Sequence, residues 1–74
     1  MKGVELVDHP KHYGGAGDPY EAIKVIEAWG LDKDFCLGNA VKYIARAGKK
    51  DDALIDLKKA AWYLARRIEK LERD

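Results

Sequence analysis

The chain has 74 residues, enough for one small domain over 1–74, yet a chain this short buries only about 60% of its unfolded surface and needs help to hold a core. A single cysteine, Cys36, excludes an internal disulfide, and no cysteine–histidine cluster has structural-zinc spacing, so no metal or cofactor is expected and self-association is left as the helper. The net charge is +1 and its positive part is a local patch, too small for a general nucleic-acid-coating protein, and no apolar run nears the ~20 residues of a membrane span, so a soluble intracellular protein without membrane partners is expected.

Met1 to Gly17 reads as an extended N-terminal arm, because Pro10 and the run Gly14-Gly15-Ala16-Gly17 prevent a long regular element. Its dense feature is Asp8-His9-Pro10-Lys11-His12-Tyr13, two imidazoles and a phenol around a proline. Such a segment can stack a base on the ring and donate imidazole hydrogen bonds to phosphate. The plainer reading is that Tyr13 and the proline cover the core edge while the histidines are solvated. As a metal site it lacks a third ligand at suitable spacing.

Asp18-Pro19-Tyr20-Glu21 carries the signs of a helix start: a capping aspartate, proline at the first position and glutamate three residues after the cap. Tyr20, Ile23, Ile26 and Trp29 recur at helical spacing, which predicts a first helix over Pro19–Trp29 ended by Gly30. Asp32 or Asp34 caps a second helix whose apolar side is Phe35, Leu37, Ala40, Val41, Ile44 and Ala47, with Gly48 as its stop. Gly38 within it costs roughly 1 kcal/mol relative to alanine, which is tolerable where another backbone or a ligand comes close.

Asp51 and Asp52 put negative charge at the start of a third helix reaching about Glu72, roughly 33 Å long. Leu54, Leu57, Ala61, Leu64, Ile68 and Leu71 alternate spacings of three and four, a seam of coiled-coil type, and Ile55, Trp62 and Ala65 widen it. The first two helices, at about 16 and 21 Å, are too short to cover the seam, so its C-terminal half is expected to meet another copy of the chain. The fold expected is all-α, two short helices and one long C-terminal helix, oligomerising through the long one.

Charge is unevenly placed. Residues 1–38 sum to −3, residues 39–50 to +4 and residues 51–74 to zero. Asn39, Lys42, Tyr43 and Arg46 share one helix face, and Lys49 and Lys50 follow the stop, close to the start of the third helix. Arginine offers a planar fork to phosphate oxygens, lysine a point charge, asparagine an amide for a base edge or sugar hydroxyl, and free N–H groups at a helix start bind anions. The plainer reading is a solvated face whose cations meet Asp51, Asp52 or Asp56. On the third helix Asp56 and Lys59 form a surface pair, Arg66 can pair with Glu69, and Trp62 is core or interface more readily than ligand platform. Cys36 reads as a small buried hydrophobe. Neither a Gly-x-x-x-x-Gly-Lys-Ser/Thr loop nor Gly-x-Gly-x-x-Gly is present, and no paired carboxylates have an obvious magnesium-binding arrangement.

His9-Pro10-x-His12-Tyr13, Leu37-Gly38-Asn39-Ala40-x-Lys42-Tyr43-Ile44-x-Arg46, Gly48-Lys49-Lys50 and Asp56-Leu57-x-Lys59-Ala60-x-Trp62-Tyr63-Leu64 together resemble a family of small phage-encoded proteins long labelled a domain of unknown function, over roughly residues 8–68. That family is related to the nucleotide kinase of T-odd coliphages, which phosphorylates deoxynucleoside monophosphates. Asp8 stands where the family's opening motif usually has asparagine. The resemblance implies nucleotide recognition. It assigns His9, His12 and Tyr13 to the ligand site, Asn39, Lys42, Tyr43, Arg46, Lys49 and Lys50 to its polar wall, and Asp56, Lys59, Trp62 and Tyr63 to its completion. It also implies residence in the cytoplasm of an infected bacterial host.

The function expected is therefore binding of a nucleotide, or of a cyclic or derived nucleotide, in a basic pocket near a subunit interface, with sequestration of a host immune signal as the role. A nucleoside monophosphate kinase is the enzymatic rival, disfavoured by the small size and the missing catalytic carboxylates; no catalytic residue is assigned. A protein-interaction module using the basic patch is the third reading. The sequence leaves the base, phosphate number and ring closure of the ligand open.

Overall fold

Three aspartates place a carboxylate where a turn or helix begins. Asp18 Oδ1 accepts from the Tyr20 N–H at 2.8 Å, Asp34 Oδ1 from the Leu37 N–H at 2.9 Å and Asp52 Oδ1 from the Leu54 N–H at 2.8 Å. The computed structural model describes residues 17–50 and 52–74, and every regular element among them is helical. These are α1 (Ala22–Ala28), a 3-10 turn (Leu31–Lys33), α2 (Phe35–Arg46) and α3 (Ala53–Arg73). The expected N-terminal arm lies outside the described residues apart from Gly17, and Asp51 also lies outside them.

The first helix starts later than its sequence signals suggest. Asp18 caps a turn, with the Glu21 N–H donating to the Asp18 carbonyl at 3.1 Å, and Glu21 itself is extended at φ −54°, ψ 137°. The helix therefore begins at Ala22 and has 7 residues instead of the expected run from Pro19. Glu21 is buried at 1% exposure, so its side chain is turned inward where a capping box would keep it at the surface.

The other boundaries follow the local chemistry closely. Gly30 at φ +74° and Gly48 at φ +80° adopt the left-handed conformation that glycine takes without strain, and each follows the end of a helix. The choice between two caps for α2 falls on Asp34, whose other oxygen, Oδ2, accepts from Arg67 Nε at 2.7 Å. Gly38 meets the close approach that its presence in a helix suggests. A Cβ there would stand 3.1 Å from the Leu31 carbonyl oxygen and 3.7 Å from Ile26 Cγ2, so the missing side chain lets α2 settle onto the 3-10 turn and α1.

α2 and α3 form an antiparallel helical hairpin that carries most of the packing, with α1 and the 3-10 turn laid against α2. Arg67–Asp34 ties one end of the hairpin and Arg46–Asp56 the other. The register fixes which face of α3 is turned to α2: Asp56, Ala60, Tyr63 and Arg67, spaced four, three and four, with Asp56 at 0% and Ala60 at 3% exposure. This corrects the expectation that the leucine seam packs on the shorter helices through its N-terminal half. Leu54, Leu57, Leu64, Ile68 and Leu71 are all 40–58% exposed. Among the described residues the buried hydrophobic ones are Ala22, Ile26, Ala40 and Ala60. No described helix is long and apolar enough to cross a membrane.

Candidate functional site

The second helix carries Asn39, Lys42, Tyr43 and Arg46 at spacings of three and four, and the hairpin brings Lys59 and Tyr63 of α3 against Tyr43. The centre is the Tyr43 ring. It stacks on the Tyr63 ring at 5.9 Å between centroids and 11° between planes. Phe35 and Trp62 meet Tyr63 edge-on at 5.8 and 5.1 Å, so Tyr63 joins three other rings.

Cations from both helices surround Tyr43. Lys42 Nζ stands 4.7 Å and Lys59 Nζ 5.3 Å from its centroid, which bounds the separation of the two ammonium nitrogens at about 10 Å. Arg46 Cζ lies 4.9 Å from the same centroid. Each is within the ~6 Å over which the ring quadrupole attracts a cation. Three cations and one nearby carboxylate, Asp56, leave a formal +2 concentrated around one phenol.

Arg46 is engaged within the chain. Its Nε and a terminal guanidinium nitrogen both donate to Asp56 Oδ1, at 3.2 and 2.9 Å. The side chains of this pair are 11% and 0% exposed. Here the plainer reading of the basic face holds for one residue: Arg46 meets Asp56. Asp56 in turn is taken from the expected Lys59 surface pair and buried in the hairpin. Its second oxygen, Oδ2, is buried and finds no hydrogen-bond partner among the described residues.

The remaining expected residues fall into separate places. Asn39 donates from Nδ2 to the Phe35 carbonyl at 2.8 Å, one turn back in its own helix. Lys49 and Lys50 are exposed in the turn around Gly48, and the Lys49 N–H closes that turn on the Arg46 carbonyl at 2.8 Å. The turn runs close to the start of α3, since a Cβ on Gly48 would stand 3.6 Å from Ala53 Cβ. The N–H groups there are not all open to an anion, because the Asp52 carboxylate already takes that of Leu54. Trp62 is 61% exposed, and with Ala65, Arg66 and Glu69 it lines an open groove of about 340 Å³ along α3. Arg66 pairs with Glu69 at 2.8 Å, as its spacing suggests. His9, His12 and Tyr13 lie outside the described residues. Cys36 is half-buried in the first turn of α2.

Sequence reasoning missed Phe35 as a ring partner and Arg67 as the partner of Asp34. The signal lay in a second stripe on α3, Asp56, Ala60, Tyr63 and Arg67, disguised because its ends are charged. Among the described residues no group of three or more histidine, cysteine, aspartate or glutamate side chains could hold a metal ion.

Fold and cluster together define a small helical-hairpin module carrying a cation-ringed aromatic face. The chain belongs to the family described as a protein of unknown function, DUF3310, whose model matches residues 7–65. It is similar to the Gene 1.7 protein of Enterobacteria phage T3, at 47% identity over an alignment of 66 residues that takes in 77% of this chain and 38% of the relative. The chain thus spans well under half the length of the curated relative it matches. No solved structure matches.

Proposed function

We propose that this protein binds a phosphate-bearing nucleotide, or a molecule derived from one, on the Lys42–Tyr43–Lys59 face and holds it unaltered. The observation that carries this reading is the convergence of Lys42 and Lys59, from two different helices, on one aromatic ring. Like charges gathered around a ring favour an anion between them, and the neighbouring rings offer π-faces to a base. The phosphate wall is accordingly Lys42 and Lys59, while Arg46 serves as the strut that sets Tyr43 between them. The cluster's carboxylate, Asp56, is fully buried and held by Arg46, which supports holding the ligand over phosphoryl transfer to it. A protein that holds a nucleotide without turning it over acts by sequestration, and a host nucleotide signal is a target suited to a phage protein.

The test is a thermal-shift screen of the full chain over mononucleotides, dinucleotides and cyclic nucleotides. A hit should raise the melting temperature of the protein, and Lys42→Ala with Lys59→Ala should remove that rise while leaving the unliganded melting temperature within a few degrees. Lys49→Ala with Lys50→Ala should retain most of it. If the Lys42/Lys59 variant still responds, the face is wrong. The ligand recovered by chromatography after incubation with a nucleoside triphosphate should be unchanged; a new phosphorylated product would replace sequestration with kinase activity.

A further inference from the structure

The leucine seam of α3 and the stripe that α3 turns to α2 are different faces of the same helix. At about 100° per residue, Lys59 stands about 160° and Tyr63 about 120° from Leu57 around the axis, so the seam lies on a different side of α3 from the cation-ringed cluster. Along that seam Leu54 is 58% exposed, Leu57 48%, Leu64 40%, Ile68 55% and Leu71 57%, and Ala61 between them is also exposed. Across the described residues twelve large hydrophobic side chains are exposed, whereas Ile26 is the one fully buried side chain larger than alanine among the hydrophobic residues. That balance is the reverse of a self-sufficient core.

We propose that a second copy of this chain docks on the seam, α3 against α3 and antiparallel. The seam is self-complementary in that direction. Leu54 comes to lie opposite the partner's Leu71, Leu57 opposite the partner's Ile68, and Ala61 opposite the partner's Leu64, so the smallest member always faces a large one. Charge on the flank selects the same orientation. Lys58 follows Leu57 on one edge of the seam and Glu72 follows Leu71 on that same edge. Antiparallel docking brings Lys58 toward the partner's Glu72 twice over, once for each chain. A parallel copy would set Glu72 toward the partner's Arg67, a residue whose guanidinium already holds Asp34 within its own chain. The seam runs beyond Arg67, the last tie to α2, so Ile68 and Leu71 can be covered by a second chain without displacing α2.

The pairing leaves Lys42, Tyr43 and Lys59 on the outer surface of the assembly, so this interface and the ligand face can fail separately. Light scattering on the untagged full chain should give twice the 8.3 kDa chain mass, or an even multiple of it, at tens of micromolar. A monomer at that concentration overturns the proposal. Leu57→Glu with Leu64→Glu should halve the mass while keeping the helical circular dichroism, and any nucleotide-induced thermal shift should persist; an unchanged mass overturns the seam as the interface. Should that variant unfold, the cross-link decides. In a Cys36→Ala background, Leu54→Cys with Leu71→Cys should oxidise to a covalent dimer and Leu54→Cys alone should not. A covalent dimer from Leu54→Cys alone, which a parallel pair would form, overturns the antiparallel orientation.

Discussion

Arg46 and Asp56 meet through a single carboxylate oxygen, Oδ1, which accepts two hydrogen bonds from the guanidinium in the interior of the α2–α3 hairpin. Because the Asp56 side chain is fully buried, removing either partner strands a charge out of water. Arg46→Ala or Asp56→Ala is expected to destabilise the fold by about 3–5 kcal/mol, measured by urea unfolding. Replacing both, as Arg46→Met with Asp56→Leu, should recover most of that loss, because a packed apolar pair of similar volume carries no desolvation penalty. A double variant as unstable as the singles would show that the pair is not the source of the effect.

Asp34 makes stability depend on acidity. Its carboxyl is held below the ordinary value of 3.8, chiefly by the Leu37 N–H, with the Arg67 guanidinium adding a hydrogen bond and a positive charge against the opposing effect of partial burial. A lowered value means the folded chain gives up this proton more readily than the unfolded one. The resulting stabilisation is fully present above the unfolded value and is lost as pH falls through the folded one. Asp34→Asn keeps a capping oxygen but loses the charge. Its urea midpoint should lie below that of the parent protein at pH 6, with the gap closing as pH falls through the lowered folded-state value. A gap that stays constant across this range would remove Asp34 as the titrating group.

Gly38 should behave unlike an ordinary helical glycine. Alanine in the middle of an exposed helix stabilises by about 1 kcal/mol relative to glycine. Here its Cβ would press on the Leu31 carbonyl, which is itself fixed by the Asp34 N–H at 3.0 Å. Gly38→Ala is expected to destabilise by about 1–2 kcal/mol, and Gly38→Leu to prevent folding, both read by thermal unfolding. A higher melting temperature for Gly38→Ala would mean the 3-10 turn gives way freely.

Tyr63 touches Phe35, Tyr43 and Trp62, so losing its ring loosens both helices at once. Tyr63→Ala should cost about 2–3 kcal/mol and Tyr63→Phe less than about 1 kcal/mol in urea unfolding. Equal losses would place the effect in the hydroxyl instead of the ring contacts.

Helix identity was legible because capping aspartates, glycine stops and apolar spacing all act within one or two turns. The start of α1 was not, since whether Asp18 caps a helix or a turn depends on the backbone of Glu21, and a buried glutamate breaks the expected polar pattern. The face α3 turns inward was misread for a related reason. Asp56 and Arg67 look like surface residues until their partners, Arg46 and Asp34, are brought from 10 and 33 residues away. Of the basic wall, Lys42, Tyr43 and Arg46 were recognisable from one helix face alone. That Lys59 joins them, and that Arg46 is committed to Asp56, follows from the hairpin register, which local spacing does not encode.

Beyond Arg67, α3 continues through Arg73 for a little under two turns, past its last hydrogen bond to α2 among the described residues. In a lone chain the amides of these turns should exchange with deuterium almost as fast as a free peptide, because only their own helical bonds protect them. Their exchange rate therefore reports on company instead of on folding: diluting the protein should speed it at Ile68–Arg73 while leaving Val41–Arg46 unaffected. In the proposed dimer the tail is in effect a concentration gauge that the chain carries on itself.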